Sequence, residues 1–177
     1  MKHIINQILI IGLICVWCNN SYAQKKTLSP HASTMAMIGS AHVHIDYSSP
    51  GVRGRTIFGD LVPFNELWRA GANDATWIET NRDIEIGDQK LPAGKYGVFI
   101  IPTREEWIVI FNSRWKQHGT DKYNEKEDII RVKVEPTTFD KLQERLKYGV
   151  IKVNEQSGLI SMSWERTEIK LPFTIRN

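Results

Sequence analysis

Cysteine is nearly absent from this sequence of 177 residues, and its only two copies, Cys15 and Cys18, lie near the start. The chain beyond them can form no disulfide and can use no thiol as a nucleophile or metal ligand. An excess of one charge is also lacking, because 23 basic residues stand against 20 acidic ones. Nucleic-acid binding usually requires a basic stripe, so no nucleic-acid partner is expected.

Familiar catalytic motifs are missing as well. The sequence contains no G-x-S-x-G elbow, no H-E-x-x-H pair and no Walker loop. Glu105 and Glu106 are adjacent, so on a strand they would face opposite ways and could not converge for glycoside hydrolysis. The sequence therefore establishes no reaction and leaves open whether the protein is an enzyme. No cofactor is expected.

The first residues have the layout of an export signal. A short basic start precedes the nearly unbroken apolar run Ile4–Trp17, and the small residues Ser21 and Ala23 then precede Gln24. This layout predicts a secretory signal peptide over residues 1–23. The apolar run is short for a membrane span, so no transmembrane segment is expected after cleavage.

Two alternatives to cleavage are a retained membrane anchor and a lipoprotein attached at Cys15 or Cys18. Neither cysteine follows a small residue, as a lipoprotein signal usually requires. The prediction is therefore an exported protein, periplasmic or secreted. Cleavage removes Lys2 and lowers the formal net charge from +3 to +2. Residues 24–33 are expected to be a flexible segment, and residues 34–177 a single domain.

The pattern of apolar residues beyond the signal is typical of β-structure. Residues 76–86 alternate polar and apolar side chains, which predicts a strand with one wet face. Lys95–Ile101 and Trp107–Phe111 are apolar on both faces and predict central strands. Pro172 predicts that the last strand lies at a sheet edge.

Helical signals are few. Residues 63–68 could form one turn, and residues 138–145 could form a short helix capped by Thr138. Many short strands separated by turn residues favour an all-β fold, namely a single antiparallel β-sandwich with one or two short helices. A barrel with few helices is the alternative.

One candidate metal site follows from periodicity. His42, His44 and Asp46 share one face of a strand and could together hold zinc or iron. No further histidine or cysteine cluster completes the set. An ordinary polar strand face is therefore the preferred interpretation, and no metal is expected.

Two arginines suggest an anion site. Gly54 lies between Arg53 and Arg55, so two guanidinium groups project from one close turn, and Arg69, beside the small residues of the next turn, is expected to lie close to Arg55. Arginine pairs bind carboxylate or phosphate bidentately. Structural salt bridges to Asp60, Glu66 or Asp74 would use the same side chains, and they are the preferred interpretation.

The tryptophans divide into two groups. Trp107 and Trp164 lie in apolar strand patterns and are expected in the core. Trp77 and Trp115 lie in polar surroundings, where an exposed indole can stack on a sugar ring, although packing at the rim of the core is preferred.

At these residues the sequence resembles a bacterial family of unknown function, the family numbered 2911. The resemblance covers residues 29–175 and is most specific in the string W-R-x-G-A-N-x-A-T. It implies export and no particular reaction, and His42 and His44 do not belong to its pattern. The segments that carry it are Tyr47-x-x-Pro50, Gly54-Arg55-x-Ile57-Phe58-Gly59, Trp68-Arg69-x-Gly71-Ala72-Asn73-x-Ala75-Thr76, Leu91-x-Ala93-Gly94-x-Tyr96, Trp107-x-Val109-Ile110-x-Asn112, and then Gly119, Tyr123 and Asp128.

Three functions remain open from the sequence. The first is an exported binding module for a carbohydrate or a small anionic ligand. The second is a hydrolase in which Arg69, Tyr123 and Asp128 converge, and the third is a structural domain that binds a protein partner. A shared cleft would favour the first two. The candidate ligand-binding residues are Arg55, Trp68, Arg69, Asn73, Thr76, Asn112, Tyr123 and Asp128.

Overall fold

The structure, a computed structural model, describes residues 27–176. The signal peptide predicted for residues 1–23 lies outside the described residues. In the described part of the chain, ten strands form two antiparallel sheets, and the one helical element is a 3-10 turn at Glu125–Glu127. The strands are β1 (His31–Ile38), β2 (Ala41–Ser48), β3 (Trp77–Thr80), β4 (Ile84–Ile86), β5 (Gln89–Leu91), β6 (Gly94–Ile101), β7 (Trp107–Asn112), β8 (Asp128–Val134), β9 (Thr137–Lys152) and β10 (Ser157–Ile175).

The two sheets pack face to face, so the predicted β-sandwich is confirmed. One sheet has the strand order β1-β2-β3-β6-β7-β8, and the other has the order β5-β4-β10-β9. β1 begins at His31, inside the segment 24–33 expected to be flexible, and its first residue pairs with Ser48 of β2. No helix within residues 27–176 is long and apolar enough to cross a bilayer.

The alternating segment 76–86 forms two strands rather than one. β3 belongs to the larger sheet and β4 to the smaller, so the chain crosses between the sheets at Asn81–Asp83. A local turn makes the break, because the Thr80 hydroxyl donates to the Arg82 carbonyl at 2.8 Å and accepts from the Arg82 amide at 3.3 Å. The predicted alternation of buried and exposed side chains holds on both sides of this turn.

The strands predicted to be central, β6 and β7, are buried on both faces. Their inward side chains join the core between the sheets, where Trp107 and Trp164 are almost completely buried, as predicted. On the outer face, Phe99 and Ile110 form a second, smaller cluster with Ala75 of the β2–β3 connection. That connection therefore packs on the outside of the larger sheet.

Both predicted helices are wrong. Residues 138–145 belong to β9, which pairs with β10 on either side of an irregularity, with Thr138 opposite Thr167 and Gln143 opposite Glu165. Between these pairs β9 has extra residues, so a bulge rather than a helix accommodates the local pattern. Residues 63–68 form turns instead of a helix. The backbone of Trp68 is paired with β6, where it exchanges two hydrogen bonds of 2.8 Å with Ile100.

The prediction of an edge position for the last strand is also wrong. β10 lies between β4 and β9 in the smaller sheet. Pro172 is tolerated there because the pairing with β9 ends at Glu168 and the pairing with β4 begins at Phe173. The missing amide proton of proline therefore falls between two ladders.

Candidate functional site

The long connection between β2 and β3 forms much of the wall of a depression of about 720 Å³. Arg55, Trp68, Arg69 and Asn73, four of the residues predicted from sequence, line it together. Among residues 27–176, no aspartate or glutamate lines the depression. Arg53, which the sequence pairs with Arg55 as a possible anion site, also lines it, as does Trp164, which was predicted only as a core residue.

Arg55 is held in place by backbone oxygens rather than by a carboxylate. Its Nε donates to the Val52 carbonyl at 3.0 Å, and its Nη2 donates to the Gly51 carbonyl at 2.7 Å. A guanidinium has five N–H donors, so this arrangement orients the group and leaves further donors unused. The preferred interpretation from sequence, a structural salt bridge, is wrong for Arg55 within residues 27–176.

Arg69 has no ion pair within the described residues either, and Asp74 pairs instead with His118 at 3.0 Å. The Arg69 Nε is buried without a hydrogen-bond partner. Burial lowers the pKa of the Arg69 guanidinium, and the nearby charge of Asp121, which does not line the depression, partly opposes that shift. The group remains charged, because arginine does not lose its proton in proteins.

Two stacked indoles make the apolar part of the wall. Trp68 is anchored by its Nε1, which donates to the Gly71 carbonyl at 3.0 Å. Trp164 lies on β10, and its Nε1 is buried without a partner. The two rings stack with centroids 5.8 Å apart. Little of either ring is exposed, since Trp68 is 7% and Trp164 is 1% accessible.

Asn73 and Thr76 differ in their availability to a ligand. Asn73 is exposed, has a positive φ of 59°, and donates from Nδ2 to the Ser48 hydroxyl at 3.2 Å. Thr76 is completely buried, and its hydroxyl donates to the Ala70 carbonyl at 2.9 Å. Thr76 therefore supports the loop from behind.

The remaining three predicted site residues form a separate network around Asp128. Its Oδ1 accepts from Asn112 Nδ2 at 2.7 Å, and its Oδ2 accepts from the Tyr123 hydroxyl at 2.7 Å and from Arg131 Nε at 2.8 Å. Burial, reinforced by the hydrogen bond to Asp128, raises the pKa of Tyr123 to about 12. These groups satisfy one another, and none of them lines the depression with Arg69. The convergence expected for a hydrolase is therefore absent from this depression.

The three candidate metal ligands on β2, His42, His44 and Asp46, do not form one cluster. Asp46 lies 2.6 Å from His31 Nε2 across the β1–β2 pair. Within residues 27–176 no three histidine, cysteine, aspartate or glutamate side chains are placed to share an ion. His42 and His44 remain neighbours, with ring centroids 6.1 Å apart.

Trp77 and Trp115, the possible sugar platforms, lie in a second depression of about 470 Å³. Lys95 covers both rings, with its Nζ 3.2 Å from the Trp77 centroid and 4.1 Å from the Trp115 centroid. A cation over an indole face is a favourable contact in its own right. These rings are therefore already occupied on the face that Lys95 covers.

Arg53 and Trp164 had different signals in the sequence. Arg53 lies two residues before Arg55 in the same turn, and this Arg-Gly-Arg spacing is what suggested an anion site from the sequence. Trp164 reaches the depression from β10, near the other end of the chain. No local pattern could have placed it beside Trp68.

Comparison with known proteins gives one result. The model of a family described as a protein of unknown function (DUF2911) matches residues 29–173. No curated protein and no solved structure matches the chain. The match covers most of the chain and agrees with the resemblance identified from the sequence. The chain therefore belongs to the DUF2911 family.

Proposed function

We propose that this protein is a binding module for a small anionic ligand carrying a carboxylate or phosphate group, held in the depression lined by Arg55 and Arg69. The observation that carries the proposal is the charge of the wall. Arg53, Arg55 and Arg69 line one depression, and no acidic residue in the described part of the chain lines it with them. Like charges gathered in one concavity repel each other, and an anion relieves that repulsion.

The geometry of Arg55 supports recognition as well as attraction. Two backbone carbonyls fix its guanidinium, so part of the entropy cost of ordering the side chain is met before a ligand arrives. The remaining donors lie in the plane of a rigid fork, which suits the two oxygens of a carboxylate or phosphate. Asn73, exposed on the same wall, adds an amide that can bind a further oxygen.

The indoles favour an anion over a carbohydrate. Sugar binding by tryptophan needs an open ring face, whereas Trp68 and Trp164 stack on each other and are almost fully buried. Their place in the wall instead makes them reporters, because a charge bound nearby changes the environment of both rings.

The proposal is tested by thermal unfolding of the wild-type protein with inorganic phosphate, succinate or citrate, together with tryptophan emission. A ligand at 100 times its dissociation constant should stabilise the protein by about 2.7 kcal/mol. Arg55→Lys keeps the charge but loses the fork, so its anion-dependent shift should disappear. Arg82→Lys, an exposed arginine that does not line the depression, is the matched control and should bind as the wild type does.

Each possible result of this experiment favours one of the candidate functions. An anion shift that is present in the wild type and Arg82→Lys, and absent in Arg55→Lys, supports the proposal. Absence of any shift in the wild type would overturn it in favour of the structural, partner-binding role. A shift with neutral oligosaccharides alone would replace the anion with a carbohydrate, and turnover of a bound ester would favour the hydrolase.

The compartment is a separate proposal that rests on the sequence alone. We propose that residues 1–23 direct export and are then removed, because Ser21 and Ala23 follow the apolar run Ile4–Trp17 at the spacing of a cleavage site. N-terminal sequencing of the exported protein should begin at Gln24. A chain that starts at Met1, or at a lipid-modified Cys18, would contradict it.

A further inference from the structure

The exposed face of the β1–β2 hairpin carries two methionines and two histidines in adjacent positions. Met35 pairs with His44, and Met37 pairs with His42, in the antiparallel register. Directly paired residues point to the same face of a sheet, so the four side chains form a square on the outside of the larger sheet. None of the four lines either of the large depressions described above.

The dimensions of this square suit a single ion. Paired residues have Cβ atoms about 4.5–5.5 Å apart, and diagonal neighbours about 7–8 Å. An ion above the centre therefore lies roughly 4 Å from each Cβ in projection, within the reach of a methionine sulfur or an imidazole nitrogen. The His42 and His44 ring centroids are 6.1 Å apart, which allows both rings to approach one ion.

The side chains of this square are also available to a ligand. His31 and His118 each lie against an aspartate, whereas neither imidazole of the square has a hydrogen bond to another side chain or to the backbone of the described residues. Within residues 27–176, His44 Nε2 is buried without a partner and the ring is braced edge-on by Trp77 with centroids 5.0 Å apart, so Nδ1 is the nitrogen of this ring left for an ion above the square. Met35 and Met37 are 57% and 53% exposed, so both sulfur atoms are on an open surface.

We propose that Met35, Met37, His42 and His44 form a binding site for Cu(I). Thioether sulfur is a soft ligand that selects Cu(I) over the harder Zn²⁺ and Mg²⁺, and imidazole suits copper as well. Strand periodicity groups the two histidines with Asp46, but the structure places Asp46 against His31. Instead of Asp46, Met35 and Met37 lie beside the two histidines, because β1 pairs with β2 in this register.

The methionines carry the test because leucine matches their size and removes the sulfur. The protein is titrated with Cu(I), kept reduced with ascorbate, against a colorimetric Cu(I) chelator, and every form tested carries Cys15→Ser and Cys18→Ser so that no thiol competes for copper. The double variant Met35→Leu/Met37→Leu should bind Cu(I) at least about tenfold more weakly, while its thermal midpoint stays near that of the wild type. Copper K-edge absorption should show sulfur neighbours in the wild type and none in the variant.

Two matched controls separate this site from other copper ligands. Met162→Leu alters a buried methionine on β10, and His118→Gln removes an exposed histidine outside the square. Both should retain the wild-type Cu(I) affinity. Equal Cu(I) affinity in the wild type and the double leucine variant, or release of bound Cu(I) to the chelator on addition of equimolar Zn²⁺, would overturn the proposal. Its outcome is independent of the anion test, because the two sites share no residue.

Discussion

Trp68 and Trp164 stack with ring centroids 5.8 Å apart and an interplanar angle of 20°. One ring belongs to the connection between β2 and β3, and the other belongs to β10 of the opposite sheet. The contact therefore fastens the wall of the candidate site to the core. The two indoles differ in one respect, because Trp68 donates to the Gly71 carbonyl and Trp164 donates to nothing within residues 27–176.

The unpartnered indole of Trp164 gives a first prediction. Trp164 and Trp107 are equally buried, at 1% and 2% exposed, but Trp107 Nε1 donates to the Thr103 carbonyl at 3.0 Å. Replacement by phenylalanine removes a similar apolar area at both positions. Only the replacement at Trp107 also leaves a carbonyl, that of Thr103, without its donor. Trp107→Phe should therefore lower the free energy of unfolding by about 1 kcal/mol more than Trp164→Phe. Urea unfolding of both variants measures the difference, and a larger loss for Trp164→Phe would contradict it.

A second prediction concerns the Ala70 carbonyl, which accepts two buried hydrogen bonds. The Thr76 hydroxyl donates to it at 2.9 Å and the Tyr148 hydroxyl at 2.8 Å. Either donor alone keeps the oxygen satisfied, and only the double variant leaves it bare. Thr76→Val and Tyr148→Phe should each cost about 1 kcal/mol, and the double variant should cost about 1 kcal/mol more than their sum. Strict additivity in a urea double-mutant cycle would show that the two bonds are independent.

The network around Asp128 gives a third prediction. Asp128→Asn removes the charge that faces Arg131 and turns an amide toward the Tyr123 or Asn112 donors. The expected loss is about 2 kcal/mol, below the usual cost of breaking a buried pair, because Arg131 is partly exposed and keeps Glu125 at 3.1 Å. The anion-dependent shift should be unchanged.

Asp60→Asn provides the control for that experiment, since Asp60 is exposed and forms no ion pair within the described residues. It should leave the urea midpoint near that of the wild type. Equal midpoints for the two variants would mean that Asp128 does not stabilise the fold, and loss of the anion shift in Asp128→Asn would link its network to the depression.

A fourth prediction concerns alkaline pH. Burial, with the hydrogen bond to Asp128, raises the pKa of Tyr123 to about 12, above the value of about 10 expected in the unfolded chain. The unfolded state therefore releases this proton first, so the contribution of Tyr123 is complete below about pH 10 and is lost toward about pH 12. Tyr123→Phe should flatten the decline of the unfolding free energy over this range, measured by urea unfolding at each pH. Identical slopes in the two proteins would contradict the assignment.

Local patterns were enough to predict the architecture. Apolar runs on both faces identified β6 and β7, and alternation identified β3 and β4, because inward and outward side chains differ in polarity along each strand. The same patterns could not assign strands to sheets. The segment 138–145 has local helical features, yet its backbone hydrogen bonds go to β10, a partner that lies later in the chain.

The candidate site was predicted only in part for a related reason. Arg55, Trp68, Arg69 and Asn73 belong to one connection, so proximity in sequence places them together. Asn112, Tyr123 and Asp128 were grouped with them by motif alone, and the structure gives them a network of their own. The Met35–His44 and Met37–His42 pairs depend on the register of β1 against β2. The alternation of side chains along each strand does not determine that register, which is set by the hairpin turn.

The crossing at Asn81–Asp83 has a consequence for how this sandwich can open. Fully extended, the chain from Thr80 to Ile84 spans about 14 Å, and packed sheets lie about 10 Å apart. This link therefore leaves only a few ångströms of slack, so beside it one sheet cannot lift far from the other while both strands stay paired. Water reaches the interior only after β3 or β4 unravels from its neighbours, which ties amide hydrogen exchange in the two sheets to one common opening event.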